Sequence, residues 1–294
     1  MAKRGGFPVL VATDGSAPAR AAVRAAAVLP WPRGTQVCAV VARDIAGSSE
    51  VPASARKAMD EAFEQAGRMA RRALARRWPD ATARVVNGAP AEAILEEARR
   101  LGARVIVVGS RGYGLVGRLV LGSVSREVVR RAVLPVLVVK GALREVRHVV
   151  IALDGSANAR RSAAFLAALR APARARVTLL RVVEPMRLPS MGLLPASFRA
   201  TLGAEADALN DAQLRAARRD VDATARRLRR AGWTVRPVVR SGVPLPTLLE
   251  TVKQSRANLL VLGARGVGGV KRLLLGSVTE GALTRSPVSV LIVK

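Results

Sequence analysis

Two stretches of this sequence have the residue types and spacing of a phosphate cradle. Gly109, Gly112, Gly122 and Ser123 spell G-x2-G-x9-G-S, and Gly263, Gly266, Gly276 and Ser277 repeat the pattern. Each begins at the end of an aliphatic run and finishes where a helix is predicted to start. At Gly109 and Gly112 the missing side chain lets the backbone pass close to a ribose or phosphate. Gly122 opens a helix whose first N–H groups, on Ser123, Val124 and Ser125, have no partners within the helix. Those donors, the helix dipole and the two serine hydroxyls together suit an anion. Ser277, Val278 and Thr279 occupy the same places after Gly276. The competing explanation is a tight strand–loop–helix connection that uses glycine only for its turns.

Two carboxylates complete the set. Asp14 and Asp154 end the first apolar run of each half in matching T-D-G-S and L-D-G-S contexts. Asp, Gly and Ser are all common before a helix. A strand-end Asp where a doubly wound sheet reverses its winding is also well placed to hold a base or a ribose hydroxyl.

These residues recur because the chain is a duplication. VATDGSAPAR at 11–20 matches IALDGSANAR at 151–160, and residues 107–140 match 261–294 without a gap. The offsets are 140 and 154, which puts 14 extra residues in the second copy between its second strand and the end of its third. Strand and helix patterns alternate in each copy. In the first, helices are predicted near 17–29, 55–78, 90–101 and 119–132, with Met59, Phe63, Met69 and Leu74 on one side of the longest. In the second, Leu214, Val221 and Leu228 form the stripe. Alternation of this kind means a parallel sheet covered on both faces. The fold class is therefore α/β: two tandem Rossmann-like domains, 1–142 and 146–294, each a five-stranded, mainly parallel, doubly wound sheet. The segment from Glu184 to about Asn210, with three prolines, is longer than its counterpart in the first copy and reads as a flap over the second site or a partner-binding loop.

Composition narrows the chemistry. Half of the 294 residues are hydrophobic and only 3% are aromatic, so the cores are built of Val, Leu, Ile and Ala. Cys38 is the only cysteine, so there is no disulfide framework or thiolate cluster, and His148 is the only histidine, which leaves little room for a His-based metal site or a triad. No run has the 18 or more apolar residues of a membrane span, and the expectation is a cytoplasmic protein. The net charge of +28 is shared by both halves and reads first as a general preference for Arg. It will attract polyanions at low salt, but with few aromatic stacking platforms and no helix-turn-helix or zinc-finger pattern, specific nucleic-acid binding is not expected.

Strand-D-G-S, then [NS]-G-x-P, then G-x2-G-x9-G-[ST]-V-[ST] and a closing V-L-[VI]-V-K resembles the universal stress protein family over nearly all of both halves. The glycine motif is that family's ATP-binding signature. The resemblance implies that Asp14 and the backbone at Val41 hold adenine and ribose. It implies that Val108, Gly109, Arg111 and Gly112 line the ribose and first phosphate, and that Gly122, Ser123, Val124 and Ser125 take the outer phosphates. The matching set is Asp154, Val182, Leu262, Gly263, Arg265, Gly266, Gly276, Ser277, Val278 and Thr279, with Mg held through the phosphates. It further implies a stress-response role and pairing through the closing strands, 136–140 and 289–293, either between the two halves or in a homodimer. With no His near either loop, a dedicated ATPase or a phosphoryl or nucleotidyl transferase is the less favoured reading.

Overall fold

The computed structural model describes residues 6–44, 52–110, 121–186, 195–266 and 275–294. In the first half, β1 (Phe7–Ala12), α1 (Ala17–Val28), β2 (Thr35–Arg43), α2 (Ala53–Ala75), β3 (Thr82–Asn87), α3 (Pro90–Leu101), β4 (Val105–Gly109), α4 (Ser123–Arg131) and β5 (Val136–Val139) alternate as the sequence predicts. The second half repeats the order with β6 (His148–Leu153), α5 (Ala157–Ala168), β7 (Arg176–Val183), α6 (Ala196–Arg230), β8 (Thr234–Ser241), α7 (Pro244–Gln254), β9 (Leu259–Gly263), α8 (Ser277–Arg285) and β10 (Ser289–Val293). Local chemistry fixes several of these boundaries. The hydroxyls of Ser16 and Ser156 accept from the N–H groups of Ala19 and Ala159, capping α1 and α5. Pro90 and Pro244 start their helices, and α3 stops at Gly102, whose φ of 63° only glycine adopts readily.

Each half is a parallel five-stranded sheet, and the two join into one sheet in the order β3-β2-β1-β4-β5-β10-β9-β6-β7-β8. The joint is antiparallel, with Leu137 opposite Leu291 and Val138 opposite Val290. Pairing through the closing strands thus occurs within the chain. Every other neighbouring pair is parallel, so the carboxyl ends of the two halves' strands point to opposite edges of the sheet. Alternation along the strands feeds two cores. Val9, Val11 and Ile151 pack under α1, α2, α5 and α6, whereas Leu10, Val40 and Val150 face α3, α4, α7 and α8.

Three sequence expectations change. Met59 and Met69 are 43% and 51% exposed, and α2 instead buries Ala66, Gly67, Ala70 and Leu74. A Cβ on Gly67 would be in ordinary contact with Val41 and Val85, so at this point the backbone of α2 itself lies close to β2 and β3. The fourth helix begins at Ser123 rather than near 119. The extra residues of the second copy are mostly helix: α6 has 35 residues against 23 in α2, and 196–210 are its first turns rather than a loop. Residues 187–194 of that segment lie outside the described residues. As expected, Val221 and Leu228 are buried on the inner stripe of α6.

The joint between the halves carries two reciprocal lysines. Lys140, at the end of β5, donates to the carbonyl of Ser286 at the C-cap of α8, 2.8 Å away. Lys294 donates to the carbonyl of Val129 in α4 at 2.6 Å. Each cation therefore sits where the other half's last helix has carbonyls without helical partners. Burial lowers both amines from their ordinary 10.5 to about 8, with Arg265 adding to the effect at Lys294. A folded pKa below the unfolded one means that between about pH 8 and 10.5 the unfolded chain binds more protons. Stability from these two groups should consequently rise with pH across that window. Urea midpoints of the parent and of Lys140→Met/Lys294→Met, measured at intervals from pH 7 to 11, check this. A parent curve with no rise relative to the variant would refute it.

Candidate functional site

The reversal of winding falls between β6 and β9 in the second half, and a crevice of about 660 Å³ opens there at the carboxyl ends of the strands. Leu153, Asp154 and Val182 line it from β6, β7 and the turn after β6. Leu262, Gly263, Arg265 and Gly266 come from β9 and its loop, and Gly276 to Thr279 from the start of α8. Pro244 and Leu248 of α7 add an apolar wall. All ten residues that the sequence assigns to the second site therefore meet in one cavity, of the size usual for small-ligand sites.

The carboxylate is held by its own turn. Asp154 Oδ1 accepts the N–H of Ser156 at 2.9 Å, and Asp14 Oδ1 accepts that of Ser16 at the same distance. The other oxygen, Asp154 Oδ2, faces Gly266, where an added Cβ would stand only 2.7 Å from it. Gly266 thus keeps clear the space beside the carboxylate. The turn is also stitched to the glycine loop, because the Arg265 carbonyl accepts from Ser156 Oγ at 3.1 Å and from Asn158 Nδ2 at 3.4 Å.

Gly122 and Gly276 are the N-caps of α4 and α8. Neither cap has a side-chain acceptor for the first turn. The N–H of Gly276 donates back to the Ala264 carbonyl at 2.9 Å, and that of Gly122 to Ser110 at 2.7 Å, closing each loop onto its strand. What remains at the mouth is a set of helix N–H groups without helical acceptors, suited to an anion. Val124 and Val278 pack their side chains on the core, so their contribution to the mouth is backbone alone.

Several assigned roles change with the geometry. Ser125 Oγ donates to the Gly109 carbonyl at 2.6 Å, and Thr279 Oγ1 to that of Gly263 at 2.8 Å. These hydroxyls lock helix to strand and have no proton left for a ligand, whereas Ser123 and Ser277 make no such bond among the described residues. A Cβ on Gly109 would stand 2.7 Å from backbone atoms of Pro18, and one on Gly263 would stand 2.8 Å from Asn158. The first glycine of each motif is thus required by the close approach of α1 or α5. Gly122 has φ −61° and ψ 153°, which any residue adopts, so no backbone angle calls for glycine there. Arg111 and Gly112 lie outside the described residues.

The register shows that Val41 and Val182 are not counterparts. β1 and β2 pair as Ala12 with Val40, and β6 and β7 as Ala152 with Leu180, which places Ala42 opposite Val182 in the repeat. Val41 packs on the α2 face, and its own counterpart is Arg181. That arginine was not among the sequence candidates. Its guanidinium covers Gly155, 2.9 Å from where a Cβ would be, and its Nε and Nη1 are buried without a hydrogen-bond partner among the described residues. The signal was available, because an offset of 140 puts Arg where the first copy has Val.

No cluster of three His, Cys, Asp or Glu among the described residues is arranged to hold a metal. No described helix is long and apolar enough to cross a membrane.

Comparison with known proteins agrees with this architecture. Residues 7–140 and 145–294 each match the Universal stress protein family. A universal stress protein of Mycobacterium tuberculosis is 31% identical over 209 residues, 65% of this chain and 62% of that protein. The chain thus spans less than two thirds of the length of that relative. A universal stress protein of Thermus aquaticus is 35% identical over 133 residues, 45% of this chain and 97% of its own length. Among solved structures, a universal stress protein from Archaeoglobus fulgidus superposes with a TM-score of 0.69 at 21% identity, covering 98% of each chain. The duplicated glycine loops, the duplicated sheet and these matches lead to one assignment: the chain belongs to the universal stress protein family, with two such domains in tandem.

Proposed function

We propose that each half binds one ATP at the carboxyl ends of its strands, and that nucleotide occupancy regulates the protein in a stress response. The observation that carries this reading is the second crevice. There, a carboxylate with one oxygen turned inward, a loop kept open by Gly266 and the start of α8 converge on one cavity. The residues fit an adenine nucleotide: Asp154 and the Val182 backbone toward base and ribose, the first turn of α8 toward the outer phosphates, and Mg held through those phosphates. By the offset of the repeat, Asp14, Ala42, Val108 and the start of α4 are assigned the same roles in the first half. The units are 1–142 and 146–294. The protein is read as cytoplasmic, and a homodimer, if formed, adds to the pairing already made by β5 and β10.

The reading is of a binder and not a dedicated catalyst. His148 stands at the amino end of β6, away from the crevice, with its Nε2 2.8 Å from Thr178 Oγ1. Cys38 is buried, and burial raises its thiol, so it supplies no thiolate. Glu127 is paired with Arg131 at 2.7 Å. Calorimetric titration with Mg-ATP should give a stoichiometry near two per chain, with turnover far below the ~10 s⁻¹ median of enzymes. A stoichiometry near one, unchanged by Gly276→Glu, would remove the second site. Hydrolysis at that median rate, lost on changing Asp14 or Asp154, would make the protein an enzyme.

A further inference from the structure

A second, larger cavity of about 990 Å³ lies between α1 and α2, on the face of the sheet that these helices cover. The turn after β1 (Thr13, Gly15) and residues 142–144 also line it. Its floor is apolar and shallow, built of Ala27, Ala70 and Ala73 with Val28 and Met69, which are 42% and 51% exposed. Around it stand Arg20, Arg24, Arg72, Arg76, Arg77 and Arg144, and no Asp or Glu among the described residues lines it. Arg20 is turned back onto the Gly15 carbonyl and Arg77 lies over the ring of Trp78. Arg24, Arg72, Arg76 and Arg144 form no ion pair among the described residues.

We infer that this groove docks an acidic amphipathic helix of a partner protein. The arrangement of the cations decides the class of occupant. An anionic lipid has one headgroup and asks for cations gathered at one end of an apolar channel. Here Arg20 and Arg24 are one helical turn apart along α1, and Arg72 in the last turn of α2 is one turn from Arg76 at its C-cap, so charge runs down both walls. Carboxylates spaced i, i+4 on both flanks of a third helix match those rows, while its apolar stripe covers Val28 and Met69. A nucleic-acid backbone would use the arginines but leave that apolar floor uncovered. Alanines on the floor let a helix come close. The second half does not repeat the groove, because the offset of 140 puts Ala164 at the place of Arg24 and Ala168 at that of Val28. One helix per chain is therefore expected.

The test uses the full chain and a fluorescein-labelled synthetic amphipathic helix of Leu, Ala and Glu, about as long as α1. Anisotropy is read at ~0.15 M salt, where surface attraction beyond about 8 Å is screened. The expected result is saturable one-to-one binding, weakened at least tenfold by Arg24→Glu/Arg76→Glu. Arg226→Glu/Arg230→Glu, which removes as much charge from exposed positions of α6, should leave it within twofold. A peptide of the same composition in scrambled order should bind at least tenfold more weakly. No binding up to the solubility of the peptide, equal loss in both double variants, or equal binding of the scrambled peptide would each overturn the inference. So would laurate that binds in an Arg24/Arg76-dependent way where the peptide does not, which would make the groove a lipid site. Circular dichroism of both variants ensures that loss of binding is not loss of fold.

Discussion

Gly276→Glu is expected to lower ATP affinity at the second crevice at least about tenfold while leaving the protein folded. Gly276 is the N-cap of α8 with φ −67° and ψ 150°, so glutamate meets no backbone penalty there. Space is the constraint. A Cβ would stand 3.4 Å from both the Arg265 Cα and the Gly266 N, at the limit of ordinary packing, and the rest of the side chain must turn into the mouth of the crevice. There it places a carboxylate where the outer phosphates are proposed to lie. Loss of one charge-assisted hydrogen bond costs about 1.5–3 kcal/mol, roughly one to two decades in affinity, before any like-charge repulsion is counted. The first half, built on Gly122 at the opposite edge of the sheet, should keep its affinity, so the stoichiometry falls from two to one. Gly122→Glu should give the mirror result. Normal binding at both crevices by folded Gly276→Glu protein would show that the start of α8 does not face the phosphates.

Much of the architecture was legible because burial on both faces of a parallel sheet writes aliphatic runs into the sequence. RVIVVG and PVLVVK read as strands without ambiguity, and Ser16 marked the start of α1 by the cap it forms. The long helices were less legible. A Met and Phe stripe at helical spacing is the usual sign of a buried face, yet α2 turns Met69 outward and buries Ala66, Gly67 and Ala70. Hydrophobicity alone cannot convey how closely a helix will approach its sheet. The joint of β5 and β10 left no trace in composition either: family resemblance implies pairing through these strands, and the structure makes it antiparallel and within the chain.

At the candidate site, the sequence identified which residues would come together better than what each would do. A strand residue's duty depends on which face it points to, and a one-residue slip reverses that face. Hence the sequence points to Val41 although Ala42 is the counterpart of Val182, and gives no role to Arg181. Hydroxyls are similarly ambiguous. Ser123 and Ser125 look alike as donors in the sequence, but the second is spent on the Gly109 carbonyl. Glycine is the hardest to read, since a close ligand, a close helix and a tight turn all call for it.

Gly109 separates those causes. We expect Gly109→Ala to destabilise the protein by about 1–3 kcal/mol, the usual cost of forcing extra atoms into a packed core. The new methyl would lie 2.7 Å from both the C and O of Pro18 and 3.0 Å from the N of Ala19. These are backbone atoms in the first turn of α1, so no rotamer change relieves the clash. The helix must move away from β4, loosening Ala19, Ala22 and Val23, which are almost fully buried beneath it. Urea unfolding followed by circular dichroism should show a lower midpoint, and Gly263→Ala, which meets Asn158 and Ala159 in the same way, should behave alike. ATP affinity of the remaining folded protein should change less than in Gly276→Glu, because the methyl points at α1 and not into the crevice. If Gly109→Ala unfolds at the parent's midpoint but loses ATP binding at the first site, this glycine is there for the ligand and the approach of α1 is incidental.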